Sequence, residues 1–385
     1  MAILDGDGGG MLPIILSKSC PPAADTAVTD PSLTRQLHDN TRRGGVSLAG
    51  TPVSGGVMRM GEFARGALAP VLFRLVQVVL LPPAVLGYLL WVVRLLLHTR
   101  RTGVSATVLA SVYTRWMQHR LGTRRDEPCD RLMAVLPNVS PWGLRLATNP
   151  TLAAHRLTGY VPRIYRYPYP GVPPIHHQPA ARTTFFDQAL APRLGDQVVV
   201  LGAGLDTRGY RRPMRCFEID TPRSQAFKRE ALRRARVDTA GVVFVPADFE
   251  KDDWLERLVQ AGFDPGRPSF FLWESVTMYL DRQAVEKTLR GIAGLGGTVA
   301  FDYFSSAALG DGALIMRYAR TAVRIVGEPF TFGIDTTPPA RTRAAAFLES
   351  CGLTLVEHRT FGRESARRAV PAAFVIARSS SGRSR

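Results

Sequence analysis

Seven short apolar runs punctuate the second half of the chain. The first five are Val198 to Leu201, Arg215 to Ile219, Val242 to Val245, Ser269 to Trp273 and Thr298 to Phe301, and the last two are Leu353 to His358 and Ala372 to Ala377. Val198, Val199, Val200 and Leu201 show no polar alternation, as expected of a central parallel strand covered on both faces. Helical patterns fall between the runs. Thr221 with Pro222 starts one through Arg236, with the threonine as cap and the proline in the first turn, and Asp281 caps another over Gln283 to Ile292. Strand runs alternating with capped helices predict an α/β domain built on a largely parallel sheet.

The first half reads differently. Residues 1–60 are rich in Gly, Pro, Ser, Thr and Asp without sustained periodicity, which predicts a disordered or targeting extension. Its first thirty residues carry several acids and one base, Lys18, against a transit sequence, which would be acid-poor and arginine-rich. From Leu75 to Val93 nineteen residues carry no charge, between Arg65 and Arg74 on one side and Arg94, Arg100 and Arg101 on the other. That length can cross a bilayer core of about 30 Å. Pro82-Pro83 would either kink a spanning helix or divide it into an interfacial hairpin, and both forms predict membrane contact through residues 66–98. A pair of buried helices meeting at the two prolines is the soluble alternative. Gly103 to Arg125 sets Val104, Val108, Val112 and Trp116 against Arg115, Arg120, Arg124 and Arg125 at helical spacing, as either a lipid-facing basic helix or a solvated helix face. Residues 128–180, dense in Pro, Tyr and Arg and above all over Tyr160 to Pro170, are not expected to sustain a helix. They read as a lid over a substrate pocket or as a packing strap.

Composition narrows the partners. The net charge is +17, yet only four of the 49 basic residues are lysines, and the arginines are scattered without an aromatic RNA-binding signature. Nucleic acid is not expected as a partner. The cysteines, at 20, 129, 216 and 351, form no close pair, so neither a zinc site nor a disulfide framework is indicated and a reducing compartment is the default. His176-His177 is the one histidine pair and has no acid or cysteine near it, so no metal is expected.

Candidate chemistry concentrates after the first run. Gly202-Ala203-Gly204 allows a sharp turn and a close backbone approach to a ligand, and the residues after it are expected to open a helix whose free N–H groups point there. Asp220 lies eighteen residues beyond Gly202, at the end of the second run, where an acid can accept hydrogen bonds from ribose hydroxyls. A dinucleotide fingerprint would need a third glycine, and Thr207 fills that slot. Asp206 in the turn would repel a pyrophosphate but attract the amino group or sulfonium of S-adenosylmethionine. After the third run, Asp248 is placed to accept from an adenine amino group with Phe249 along the ring, or else to cap the helix starting near Asp252.

The segments RTTFFD from Arg182, VVVLGAGLDTR, CFEID, VPADF, ESVTMYL and VAFDYF, in that order up to Tyr303, resemble the leucine carboxyl methyltransferase family in its bacterial-type branch. The motifs cover about a third of the chain, and the fold resembled runs from about Tyr160 to the end. The resemblance implies a Rossmann-like, seven-stranded class I methyltransferase fold whose last two strands form an antiparallel edge pair. It also implies that Arg182 pairs with the methionine carboxylate, Gly202 and Gly204 cradle the methionine, Asp220 holds the ribose, Asp248 and Phe249 frame adenine, and Glu274 supports the methionine amino group. Tyr279 belongs to the same signature.

The expected organisation is therefore an extension over 1–60, a membrane-associated helical region over 61–127, a lid over 128–181, a methyltransferase domain over 182–378 and a disordered tail over 379–385. The expected cofactor is S-adenosylmethionine, with the catalytic domain on the cytoplasmic, reducing side of a membrane. The expected acceptor is a carboxylate or hydroxyl on a small or lipid-like molecule. A carboxylate needs no base, and for a hydroxyl Glu274 and Tyr279 are the candidates. The family's eukaryotic branch methylates a protein C-terminal carboxylate; the long extension and the GLDTR turn depart from that branch. An NAD(P)-dependent oxidoreductase would share the turn and Asp220 but should add a third glycine and a Tyr-x-x-x-Lys, and neither is present. A membrane-tethered nucleoside-binding protein without turnover is the non-enzymatic alternative.

Overall fold

The computed structural model describes residues 60–102, 108–193, 195–309, 329–365 and 369–380. The expectations for the extension before residue 60 and for the tail beyond 380 lie outside the described residues.

Strands β1 (Gln197–Leu201), β2 (Cys216–Asp220), β3 (Val242–Pro246), β4 (Ser269–Trp273), β5 (Thr298–Phe304), β6 (Leu353–Thr360) and β7 (Ala372–Ser379) form one sheet. Their order is β3-β2-β1-β4-β5-β7-β6. The first five are parallel, and β7 runs antiparallel between β5 and β6. This is the seven-stranded arrangement the resemblance implies, with each apolar run in its expected strand.

Alternate residues of the central strands enter two separate cores. Val199, Leu201, Phe271 and Trp273 pack on one face, whereas Val198, Val200, Phe270 and Leu272 meet Phe185 and Phe186 on the other. Burial on both faces explains the absence of polar alternation in these runs. Chain order reverses between β1 and β4, and the register pairs Leu201 with Ile219 and Val200 with Leu272. The carboxyl ends of β1, β2 and β4 therefore open at one edge, where ligands of such sheets bind.

The helices in front of the sheet are α1 (Met60–Val79), α2 (Leu81–Thr102), α3 (Val108–Arg120), α4 (Glu127–Val135), α5 (Pro141–Thr158) and α6 (Gln178–Leu190). Behind them come α7 (Pro222–Arg234), α8 (Trp254–Gln260), α9 (Arg282–Gly294), the single turn α10 (Ser306–Leu309) and α11 (Ala340–Ser350). The caps act as expected: Thr221 Oγ1 accepts from the Ser224 N–H at 3.4 Å, and Asp281 from the Ala284 N–H at 2.6 Å.

Four sequence expectations are corrected. Residues 128–158 do sustain helices, because Pro128 and Pro141 stand in first turns, where a missing N–H costs nothing, and Asp126 and Ser140 cap them. The irregular path is confined to the stretch between α5 and α6. No α-helix opens after Gly204; a single 3-10 turn over Arg208–Tyr210 stands there instead, so no row of helix N–H groups faces the strand edge. Arg115 and Arg124 are buried, their partners Asp206 and Asp187 lying in the turn after β1 and on α6, and are not turned to lipid or solvent. Pro82-Pro83 do not fold the apolar run into a hairpin. The helix breaks only at Leu80, and the Ala84 N–H still reaches the Leu80 carbonyl at 3.3 Å. The successive contacts Phe73 with Tyr160, Gln77 with Thr151 and Gly87 with Gly143 show α1 and α2 running on in one sense, antiparallel to α5.

Candidate functional site

The turn after β1 is shaped by two glycines. Gly202 has φ +64° and Gly204 φ +43°, a region that side chains with a Cβ avoid. A Cβ on Gly202 would fall 2.4 Å from Val276 Cγ2, so the Val276 side chain packs directly on the turn. Asp220, at the end of β2, closes the other side. Its Oδ2 accepts from the Gly204 N–H at 2.6 Å and its Oδ1 from the Thr221 N–H at 2.7 Å. Burial pushes this carboxyl upward in pKa while the two N–H groups oppose the shift. The structure thus brings Gly202, Gly204 and Asp220 together in one turn.

The end of β4 is strained. Ser275 has φ +61° without being glycine, and its N–H donates to Asp302 Oδ1 at 2.6 Å. The other oxygen of Asp302 lies 3.0 Å from Arg182 Nε, with both side chains nearly closed to solvent. Arg182 Nη1 also donates to Ser111 Oγ at 3.4 Å. The residue expected at the methionine carboxylate therefore stands beside the strand edge, held by an acid of β5. Burial raises the Asp302 carboxyl, and Arg182 opposes it.

Glu274 and Asp206 are brought together by a residue that the motif reading passed over. Arg208 Nη1 donates to both carboxylates, and its Nε donates to Asp187 Oδ1 at 2.7 Å. Asp206 also pairs with Arg115 at 3.0 Å, and Asp187 with Arg124 at 2.8 Å and Arg211 at 3.2 Å. Arg124 pairs in turn with Asp126, which accepts from Thr207 Oγ1 at 3.0 Å. The cluster holds Arg115, Arg124, Arg208 and Arg211 against Asp126, Asp187, Asp206 and Glu274, which balances its charge. Despite burial, which acts the other way, the guanidinium groups hold the Asp187 and Asp206 carboxyls well below the usual range. Asp206, expected to attract the amino group or sulfonium of the donor, has its oxygens engaged by Arg115 and Arg208.

The available signals for this cluster were Asp187, the last residue of RTTFFD, and Arg208, the last of GLDTR. Nothing in linear order says that these two charges meet, or that Arg115 and Arg124 join them.

The remaining predicted residues sit farther along the edge. Phe249 is buried with its ring centroid 6.2 Å from those of Trp254 and Trp273. Asp248 is half-buried; it accepts from Lys251 Nζ at 2.8 Å and from the Glu250 N–H at 3.1 Å. Asp253, not Asp248, caps α8. Tyr279 lies in a 3-10 turn with its ring 5.4 Å from that of Phe330.

Against this geometry, residues 165–293 match the family model for leucine carboxyl methyltransferase, which bears out the resemblance over that segment. A relative from Mycobacterium sp. (strain KMS), named by inference as an S-adenosyl-L-methionine-dependent methyltransferase, is 40% identical over 160 residues, 40% of this chain and 53% of its own. One of the same name from Mycobacterium bovis (strain BCG / Pasteur 1173P2) is 34% identical over 154 residues, 37% of this chain and 50% of its own. The chain thus spans about half the length of these curated relatives. Among solved structures, magnesium protoporphyrin IX methyltransferase from Synechocystis PCC 6803 aligns over 56% of this chain and 91% of its own with 9% identity and a TM-score of 0.35. The methyltransferase SibL aligns over 83% and 77% with 16% identity and a TM-score of 0.34.

Proposed function

We propose that this chain is an S-adenosylmethionine-dependent methyltransferase whose donor seats on the carboxyl edge of β1, β2 and β4. The observation that carries the reading is the cradle of Gly202, Gly204 and Asp220, within the segment that matches the family. The residues fit the donor: a turn that excludes a Cβ beside Asp220 suits a nucleoside, and Thr207 in place of a third glycine argues against a pyrophosphate. Arg182 would hold the methionine carboxylate, Asp220 the ribose, Asp248 and Phe249 the adenine, and Glu274 the amino group. When bound, the donor supplies a methyl group activated by its sulfonium. The chain's own task is to position the acceptor in line and to exclude water.

The acceptor is a carboxylate or hydroxyl on a small or lipid-like molecule. A carboxylate is favoured, because it is already ionised at neutral pH, whereas the acids Asp206 and Glu274 are engaged by Arg208. A hydroxyl acceptor would draw on Glu274 or Tyr279. The match at 165–293 weighs against a nicotinamide-dependent oxidoreductase. Titration calorimetry of the full chain tests the reading. Binding of S-adenosylhomocysteine without binding of NADH is expected, and the reverse preference would overturn it.

A further inference from the structure

The face of α1 and α2 turned away from α5 is predominantly apolar. Leu72, Leu75 and Val79 on α1 and Leu86, Leu90 and Leu97 on α2 are exposed and repeat at helical spacing. The opposite face is committed to the protein. Phe73, Ala84 and Trp91 are buried there, and a Cβ on Gly87 would fall 2.4 Å from the backbone nitrogen of Ala147. From Leu68 to Leu97 the exposed apolar face runs about 45 Å at 1.5 Å per residue.

We propose that this face seats the protein in the plane of an anionic bilayer surface without crossing the bilayer. The geometry favours lying over spanning. Helix α2 alone is long and apolar enough, among the described residues, to cross a membrane. However, α5 lies along α1 and α2 through the whole uncharged stretch and exposes Arg145, Asn149 and Arg156. A crossing would carry those groups, and the domain fixed to them, into hydrocarbon. Lying flat keeps them in water and buries only the leucine and valine stripe. The lipid charge follows from the flanks. Arg74, Arg94, Arg100 and Arg101 are exposed along or at the end of the stripe, no acid occurs between Met60 and Thr102 except Glu62, and the chain carries +17 overall.

Flotation of the full chain with vesicles tests this, and its outcome is independent of the methyl-transfer reading. The protein should float with vesicles of phosphatidylcholine and phosphatidylglycerol in equal parts, and less with phosphatidylcholine alone. Leu86→Glu combined with Leu90→Glu alters only exposed positions and should cut partitioning about ten-fold or more, with an unchanged melting temperature. Arg100→Glu with Arg101→Glu should abolish the preference for phosphatidylglycerol. Alkaline carbonate should release the chain from cell membranes. Absence of vesicle binding by folded protein, binding untouched by the two glutamates, or resistance to carbonate would each overturn the proposal. So would a dimer in solution that the two glutamates dissociate, since the face would then pair two copies.

Discussion

Arg115 Nη1 on α3 stands 3.0 Å from Asp206 Oδ2 in the turn after β1, and both side chains are almost closed to solvent. A charge from the helical layer in front thus pairs with the turn after β1, where no α-helix follows. Removing Asp206 leaves the buried Arg115 without its carboxylate, at about 3–5 kcal/mol, whereas removing Arg115 leaves Asp206 still paired with Arg208. Asp206→Asn should lower the unfolding free energy by that order in urea titration, and Arg115→Met by less. The double variant should lose less than the sum of the two. Additive losses would show that the pair is not coupled.

Asp220 offers a sharper test of the donor site. Asp220→Ala removes a charged acceptor for the ribose and also the partner of the Gly204 N–H. Affinity for S-adenosylhomocysteine should fall by about 1.5–3 kcal/mol, measured by calorimetry. An unaltered affinity would remove Asp220 from the site.

Gly202→Ala combines two penalties. A positive φ costs a side-chain residue about 1 kcal/mol, and Val276 stands in the way of the new methyl. Donor affinity should fall at least about ten-fold, the equivalent of roughly 1.4 kcal/mol. Gly202→Ala with Val276→Ala should recover part of the loss, because it frees the space but not the backbone. Failure of the second change to help would place the cost in φ alone.

Arg182 serves two partners in this reading, Asp302 in the protein and the donor carboxylate. Arg182→Ala leaves Asp302 buried and unpaired, so stability should drop by about 3 kcal/mol or more. Arg182→Lys keeps the charge but loses the planar fork. The lysine variant should therefore stay folded while its affinity for S-adenosylhomocysteine falls about ten-fold, read on the folded fraction by calorimetry. Full affinity in the folded lysine variant would reduce Arg182 to a structural partner of Asp302.

Stability should also respond to pH through His358 on β6, whose Nε2 is 2.9 Å from the Tyr303 hydroxyl. Burial, helped by the charge of Arg341, lowers its pKa from 6.5 to about 4. The unfolded chain therefore binds the proton first. The contribution is present in full above pH 6.5 and is lost as pH falls from 6.5 to about 4. Partial exposure limits it to about 1–2 kcal/mol. The raised carboxyls of Asp220 and Asp302 work in the opposite sense, so the measured quantity is the difference between parent and His358→Gln. Denaturant titrations across that window should give a flatter profile for the glutamine variant, and parallel profiles would exclude His358.

The strands and the glycines of the turn were legible in the linear sequence because each is a local matter. A central strand buried on both faces must be apolar throughout, as Val198 to Leu201 are, and a turn that admits no Cβ must use glycine, as at Gly202. Helix caps such as Thr221 and Asp281 are equally local, since the side chain bonds an N–H three residues on. The tertiary structure decided what long-range pairing decides. Arg115 and Arg124 read as a solvated or lipid-facing stripe because helical spacing reports only which residues share a face. Which face is covered depends on a carboxylate that arrives from elsewhere in the chain, here Asp206 or Asp187. The density of proline over residues 128–180 argues against a helix, yet Pro141 sits where its missing N–H is free and Pro150 lies within α5, which packs on α1 and α2. Periodicity thus determined the elements, while the meeting of buried charges, which depends on distances the sequence does not contain, was left to the fold.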